Sequence, residues 1–259
     1  MFVKLLKWEF RSTGRRFSLA FLIYACLCVA LPWILLPFSR DAAAVYSVFT
    51  LSLGLSAFEI VIMVMLFQHY NSSLYGCEGY LQFTLPIDMR RVLGAKLLAA
   101  VLWVLAANGM FAAGGLTALH ILRISRIGEM FPQIRMDAGA FPPAATDMVL
   151  SVAVSLMTIF FSVTVSRLAV WRKGGTAMGI LTFLLLVAGQ VVVAFLREGG
   201  VSSVLTDTTQ SRADVRVVVD LNPVYSWRAM GPTMAIYMAV CVALFAATAW
   251  LLERKTELK

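Results

Sequence analysis

Six apolar runs, at about residues 17–38, 43–68, 93–122, 145–168, 175–197 and 232–252, leave this chain few ways to fold. Each approaches or exceeds the roughly 20 residues an α-helix needs to cross the ~30 Å hydrocarbon core of a bilayer. Inside that core every backbone N–H and C=O must find its partner within the segment, so such runs span as helices. Composition agrees, with 60% hydrophobic and 14% charged residues, against about 45–50% and about 25% in soluble domains. The expected fold is all-α: one transmembrane domain over 1–259 with six transmembrane helices. An even number of crossings places both termini on one side.

The loop charges choose the side. Fourteen of the 22 Lys and Arg residues, including all six lysines, fall with five acids in the terminal segments and the loops after the second and fourth runs. The other eight, all arginines, share the remaining loops with eight acids. By the positive-inside rule the first group is cytoplasmic, and the long loop 198–231 is extracellular. The formal net charge of +8 therefore reports orientation in the cell membrane and gives no reason to expect nucleic acid. At the end of that loop, LNPVYSWRAMGP carries Tyr225 and Trp227 at interface depth. It reads either as an aromatic belt or as a short outer-leaflet helix.

At the N-terminus, residues 1–16 place Lys4, Lys7 and Arg11 on one helical face and Phe2, Leu5, Leu6 and Phe10 over the other. The expectation is an interfacial elbow helix, with Lys4, Lys7, Trp8 and Arg11 at anionic headgroups and the apolar face in the acyl boundary; the alternative is ordinary flanking charge. The apolar run that follows is too long for a signal peptide and lacks a small-residue cleavage site, so it reads as an uncleaved first span. Cys26, Cys28, Cys77 and Cys241 form no CxxC pair, and three of them lie in apolar runs, where thiols pack as small hydrophobes.

Away from the ends of the spans Glu59 is the one acid. An intramembrane carboxylate reads as a pathway or subunit-interface residue, with a satisfied packing contact as the alternative. Asn108 and Gln190 are expected to hydrogen-bond between helices, and Gly109/Ala113 and Gly175/Gly179 have the spacing for close helix contact. Motifs for chemistry are missing. No stretch matches GxxxxGK[ST], HExxH or GxSxG, and His69 and His120 lie near opposite ends of their spans. No cofactor or metal site is expected in this chain, and it is not expected to be an enzyme.

The stretch Asn71–Lys96, NSSLYGCEGYLQFTLPIDMRRVLGAK, is a polar segment between the second and third spans. It reads as a short surface helix, a break at Thr84–Pro86 and a new helix, because Pro86 and Asp88 suit a first helical turn. Its segment YGCEGYLQFTLPIDMRRVLGAKLL, together with the start KLLKWEFR, the stretch LNPVYSW and the tail LLERKTELK, resembles the membrane-spanning permease subunits of type-2 ABC transporters. The resemblance covers essentially the whole chain. It implies a cytoplasmic coupling helix over 71–86, with Tyr75, Gly76, Cys77, Glu78, Gly79 and Tyr80 contacting a separate ATP-binding subunit and Leu85 and Pro86 turning back into the membrane. Cys77 stands where family members often carry a polar or acidic residue.

The resemblance further implies an exporter of an amphipathic or hydrophobic substrate, such as a peptide, lipid or drug. Its partners would be the ATPase subunit, which holds ATP and Mg, a second permease copy or paralogue, and membrane lipid. Two other classes stay open: a sensor or immunity protein binding a peptide or lipid at 198–231 without transport, and an intramembrane enzyme using Glu59 with a histidine.

Overall fold

The computed structural model describes residues 2–75, 89–124, 133–135, 139, 141–167, 175–201, 218–220 and 226–254. Among these, six helices are long and apolar enough to cross a membrane, as expected. The helices are α1 (Phe2–Tyr24), α2 (Leu31–Leu35), α3 (Arg40–Tyr75), α4 (Met89–Ile124), α5 (Phe141–Ser166), α6 (Gly175–Val201) and α7 (Trp227–Arg254). The first crossing combines α1, a π-helical turn at Ala25–Ala30, and α2. Two three-residue strands, β1 (Gln133–Arg135) and β2 (Val218–Asp220), pair in parallel with Ile134 opposite Val219. This ladder joins the α4–α5 and α6–α7 connections, which agrees with the parity of the crossings.

The first element differs from the expected one. The sequence separates an interfacial helix at 1–16 from a span starting at 17, whereas α1 runs unbroken across that boundary. Nothing there stops a helix: no proline occurs before Pro32, and a lone Gly14 inside a helix costs only about 1 kcal/mol relative to alanine. The break comes at Pro32, which lacks an N–H and whose ring would meet the carbonyl of Cys28. The chain absorbs this by widening a turn, so that Leu31 N–H bonds Cys26 O five residues back.

Helix α2 ends in a tight turn in which Phe38 and Ser39 N–H both bond Leu35 O. The Ser39 hydroxyl then accepts Ala42 N–H at 3.3 Å, capping α3, and Asp41 stands in its first turn against the helix dipole.

The chain divides into two compact units, Met1–Ser73 with Gly94–Phe131 and Leu74–Leu93 with Pro132–Lys259. In the first, Phe21 and Tyr24 of α1 pack on Phe58 of α3, and Phe10, Phe17 and Phe21 surround Trp103 of α4. Further along, Ala43, Ala44 and Ile121 are buried with Leu35 and Val48 against them.

In the second unit α5 is central: half of its apolar window is buried, compared with 6% for α6. Gly179 lets α6 approach, because an added Cβ would lie 2.6 Å from Ser166 Cβ and 3.0 Å from Ser162 O. The Gly175/Gly179 spacing thus corresponds to a close contact. Gly109 has nothing within 4 Å of an added Cβ, so the Gly109/Ala113 pair marks no such approach.

The outer faces of the spans stay apolar. Leu19, Leu22, Ile60, Leu116, Ile180, Leu185 and Val242 are among many exposed large hydrophobic side chains, a surface that hydrocarbon tolerates and water does not.

Candidate functional site: a buried charge cluster

Among the described residues a buried polar cluster lies where the C-terminal end of α3 and the N-terminal part of α4 meet α1. Seen along α1 at 100° per residue, Glu9 sits about 180° from the face that carries Lys4, Lys7 and Arg11. It shares a buried stripe with Thr13, Phe17, Ala20 and Tyr24.

One carboxylate oxygen, Oε1, accepts Lys96 Nζ of α4 at 2.5 Å, and the other, Oε2, lies 2.7 Å from His69 Nε2 of α3. Lys96 also donates to Ser73 Oγ at 2.9 Å. Only 2% of the Lys96 side chain and 6% of Glu9 are accessible, against 21% of His69. A carboxylate paired with an ammonium only accepts, so the short contact puts the proton on His69 Nε2.

Around this pair the polar groups are satisfied. Thr13 Oγ1 donates to Glu9 O at 2.7 Å and accepts Trp103 Nε1–H at 3.0 Å. The ring cluster about Trp103 excludes solvent, which strengthens each of these contacts and raises the penalty for losing one. Both oxygens of the Glu9 carboxylate are engaged within the cluster. It ties three helices together at one point. Ser73 stands three residues before the segment that begins at Gly76, and Lys96 follows the start of α4 by seven.

The expected coupling residues lie mostly beyond the described residues: this holds for Gly76, Cys77, Glu78, Gly79, Tyr80, Leu85 and Pro86. Asn71–Tyr75 form the last turn of α3 and not a separate surface helix. Ser73 of this turn, and His69 one turn earlier, face inward. Tyr75 is half-buried and its hydroxyl donates to Thr164 Oγ1 of α5 at 3.1 Å. The guanidinium of Arg167 lies 5.8 Å from the centroid of its ring. In the same unit Arg90 meets Glu253 at 3.4 Å on the surface, a pair worth about 1 kcal/mol at most.

Lys4, Lys7, Trp8 and Arg11 are all exposed on α1, while Leu5, Leu6 and Phe10 are half-buried, so the amphipathic pattern holds on a helix that continues into the span. Gln190 of α6 donates to Thr158 Oγ1 of α5 at 2.7 Å, the interhelical bond its position suggested. Asn108 does not do likewise: its Nδ2 bonds Val104 O one turn back on α4. Glu59 is exposed and shares a small crevice with Asn108. His120 stacks on Trp33, ring centroids 5.5 Å apart, at the opposite end of α4 from Lys96. Among the described residues no group of three His, Cys, Asp or Glu could hold a metal ion.

Three residues of the cluster were present in the sequence reading only as something else. Glu9 and Lys96 count there only among the charges of the terminal segments and loops, and His69 only as a histidine near the end of a span. For Glu9 the signal existed, an acid in the middle of an otherwise apolar face. In comparisons with known proteins, no family model, no curated protein and no solved structure matches the chain.

Proposed function

We propose that this chain is the permease subunit of an ATP-driven exporter of the type-2 ABC kind, a multi-pass protein of the cytoplasmic membrane with both termini inside. A separate ATPase subunit binds at residues 75–80, a second permease copy or paralogue completes the complex, and the cargo is amphipathic or hydrophobic. The observation that carries this reading is the Glu9–Lys96–His69–Ser73 cluster. It clamps the two helices that flank segment 76–88 to each other and to α1. Helices tied in this way pass a partner's movement on into helix tilt.

The clamp gives the partner's force a rigid path; the energy itself comes from ATP bound with Mg in the partner. The six long apolar helices fit the same reading, as does the absence of a phosphate-binding motif from the sequence.

The test is purification from native membranes in mild detergent, with the copurifying subunits identified. Wild-type chain is expected to bring down an ATPase, and Gly79→Trp to lose it while remaining folded. Full transport by Gly79→Trp, or by the wild-type chain alone, would overturn the proposal.

A further inference from the structure

One acid deep within the spans belongs to no internal network among the described residues. Glu59 is residue 20 of the 36 in α3, so it stands about 28 Å from the start of the helix and about 24 Å from its end at 1.5 Å per residue. With ~30 Å of hydrocarbon around the middle of α3, Glu59 lies well inside it. From Ala42 to Gln68 it is the only charged residue. Its side chain is exposed and has no hydrogen-bond or ion-pair partner among the described residues. The charged cluster at His69 is ten residues, or about 15 Å, further along the helix. A carboxylate left unpaired at this depth calls for an external cation or donor.

Its surroundings specify which kind. The crevice beside Glu59 is lined by Phe58, Ile62, Val104, Asn108 and Phe111 among others, and it brings no cation to the carboxylate. One amide N–H of Asn108 is committed to Val104 O, which leaves its carbonyl oxygen free to accept. Phe111 adds an aromatic ring, whose face attracts cations. The crevice holds only about 10 Å³, about the space of one water-sized probe. An –NH₃⁺ group fits that space and offers three N–H donors to the carboxylate, the amide oxygen and the ring. A trimethylammonium group is too large and has no N–H; a guanidinium is too wide.

We infer that Glu59 and Asn108 form a recognition site for the primary ammonium of an amphipathic cation, whose apolar part lies along the exposed faces of α3 and α4 in hydrocarbon. That this amine belongs to exported cargo rests on the export reading; the site itself does not.

The experiment uses the purified full chain in zwitterionic lipid nanodiscs. Binding of dodecylamine, dodecyltrimethylammonium and dodecanol is measured by calorimetry against empty nanodiscs. Wild type is expected to bind dodecylamine above the partition background, with Glu59→Gln weakening it about 10-fold or more, the scale of one charge-assisted hydrogen bond. Asn108→Leu should weaken it less, and the other two probes should not exceed background. Undiminished binding by Glu59→Gln, or equal binding of the quaternary amine or the alcohol, would overturn the site. So would Glu59→Gln abolishing self-association of the chain while leaving amine binding intact, since the acid would then serve a subunit contact. Copurification of an ATPase is read separately: its failure removes the export reading and leaves the amine result standing.

Discussion

Replacing Lys96 by methionine should be among the most damaging single changes in the first unit, although it removes one charge and adds no bulk. At an effective dielectric of about 20, unit charges 2.5 Å apart attract by about 7 kcal/mol. Desolvation of two ions this deeply buried takes back several kcal/mol for each, so the pair contributes little net stability. Breaking it is another matter. Lys96→Met leaves Glu9 with only His69 and Ser73 Oγ with only its 3.4 Å bond to Tyr70 O, and loss of one member of a buried pair costs about 3–5 kcal/mol. Adding Glu9→Gln removes the stranded charge, so the double variant should recover about 2 kcal/mol or more of that loss. Equilibrium unfolding in mixed detergent micelles, followed by circular dichroism, gives all corners of the cycle. If Lys96→Met lies within 1 kcal/mol of wild type, or the two changes add independently, the buried-clamp reasoning is wrong.

The same titration checks the other helix contacts and the cap of α3. Gly179→Leu must displace Ser166 and the backbone at Ser162 and should cost about 1–3 kcal/mol, whereas Gly109→Leu, with open space around it, should change stability by about 0.5 kcal/mol or less. Thr158→Val leaves Gln190 Nε2 without its acceptor and should cost about 0.6–1.7 kcal/mol, the range measured for hydrogen bonds between spanning helices. Ser39→Ala removes the cap of α3 and should cost about 1 kcal/mol.

What the sequence displayed depended on range. The spans were legible because a hydrocarbon environment makes each run of about 20 apolar residues a helix regardless of its neighbours. Their ends were less so: the second run, placed at 43–68, is the middle of a helix from Arg40 to Tyr75. Gln68, His69, Asn71 and Ser73 are polar yet continue the same helix, with His69 and Ser73 facing the Glu9–Lys96 pair. The elbow was read as a separate helix because its faces are amphipathic, but amphipathicity does not break a helix and no breaker stands at 16 or 17. Glu9 was detectable from the helical angle alone. Its pairing with Lys96, 87 residues away, depends on how α1, α3 and α4 pack, which no local pattern encodes. Gln190 was correctly expected to bond another helix, while Asn108 had its own backbone within reach as well, and local bonding won.

The most direct test of the central claim joins the clamp to transport. Reconstituted with the ATPase subunit proposed above, the Glu9→Gln/Lys96→Met variant should keep that subunit and hydrolyse ATP, yet move far less cargo per ATP than wild type. The helices flanking 76–88 would no longer be tied to α1. Transport per ATP equal to wild type in that folded, unclamped variant would contradict the account.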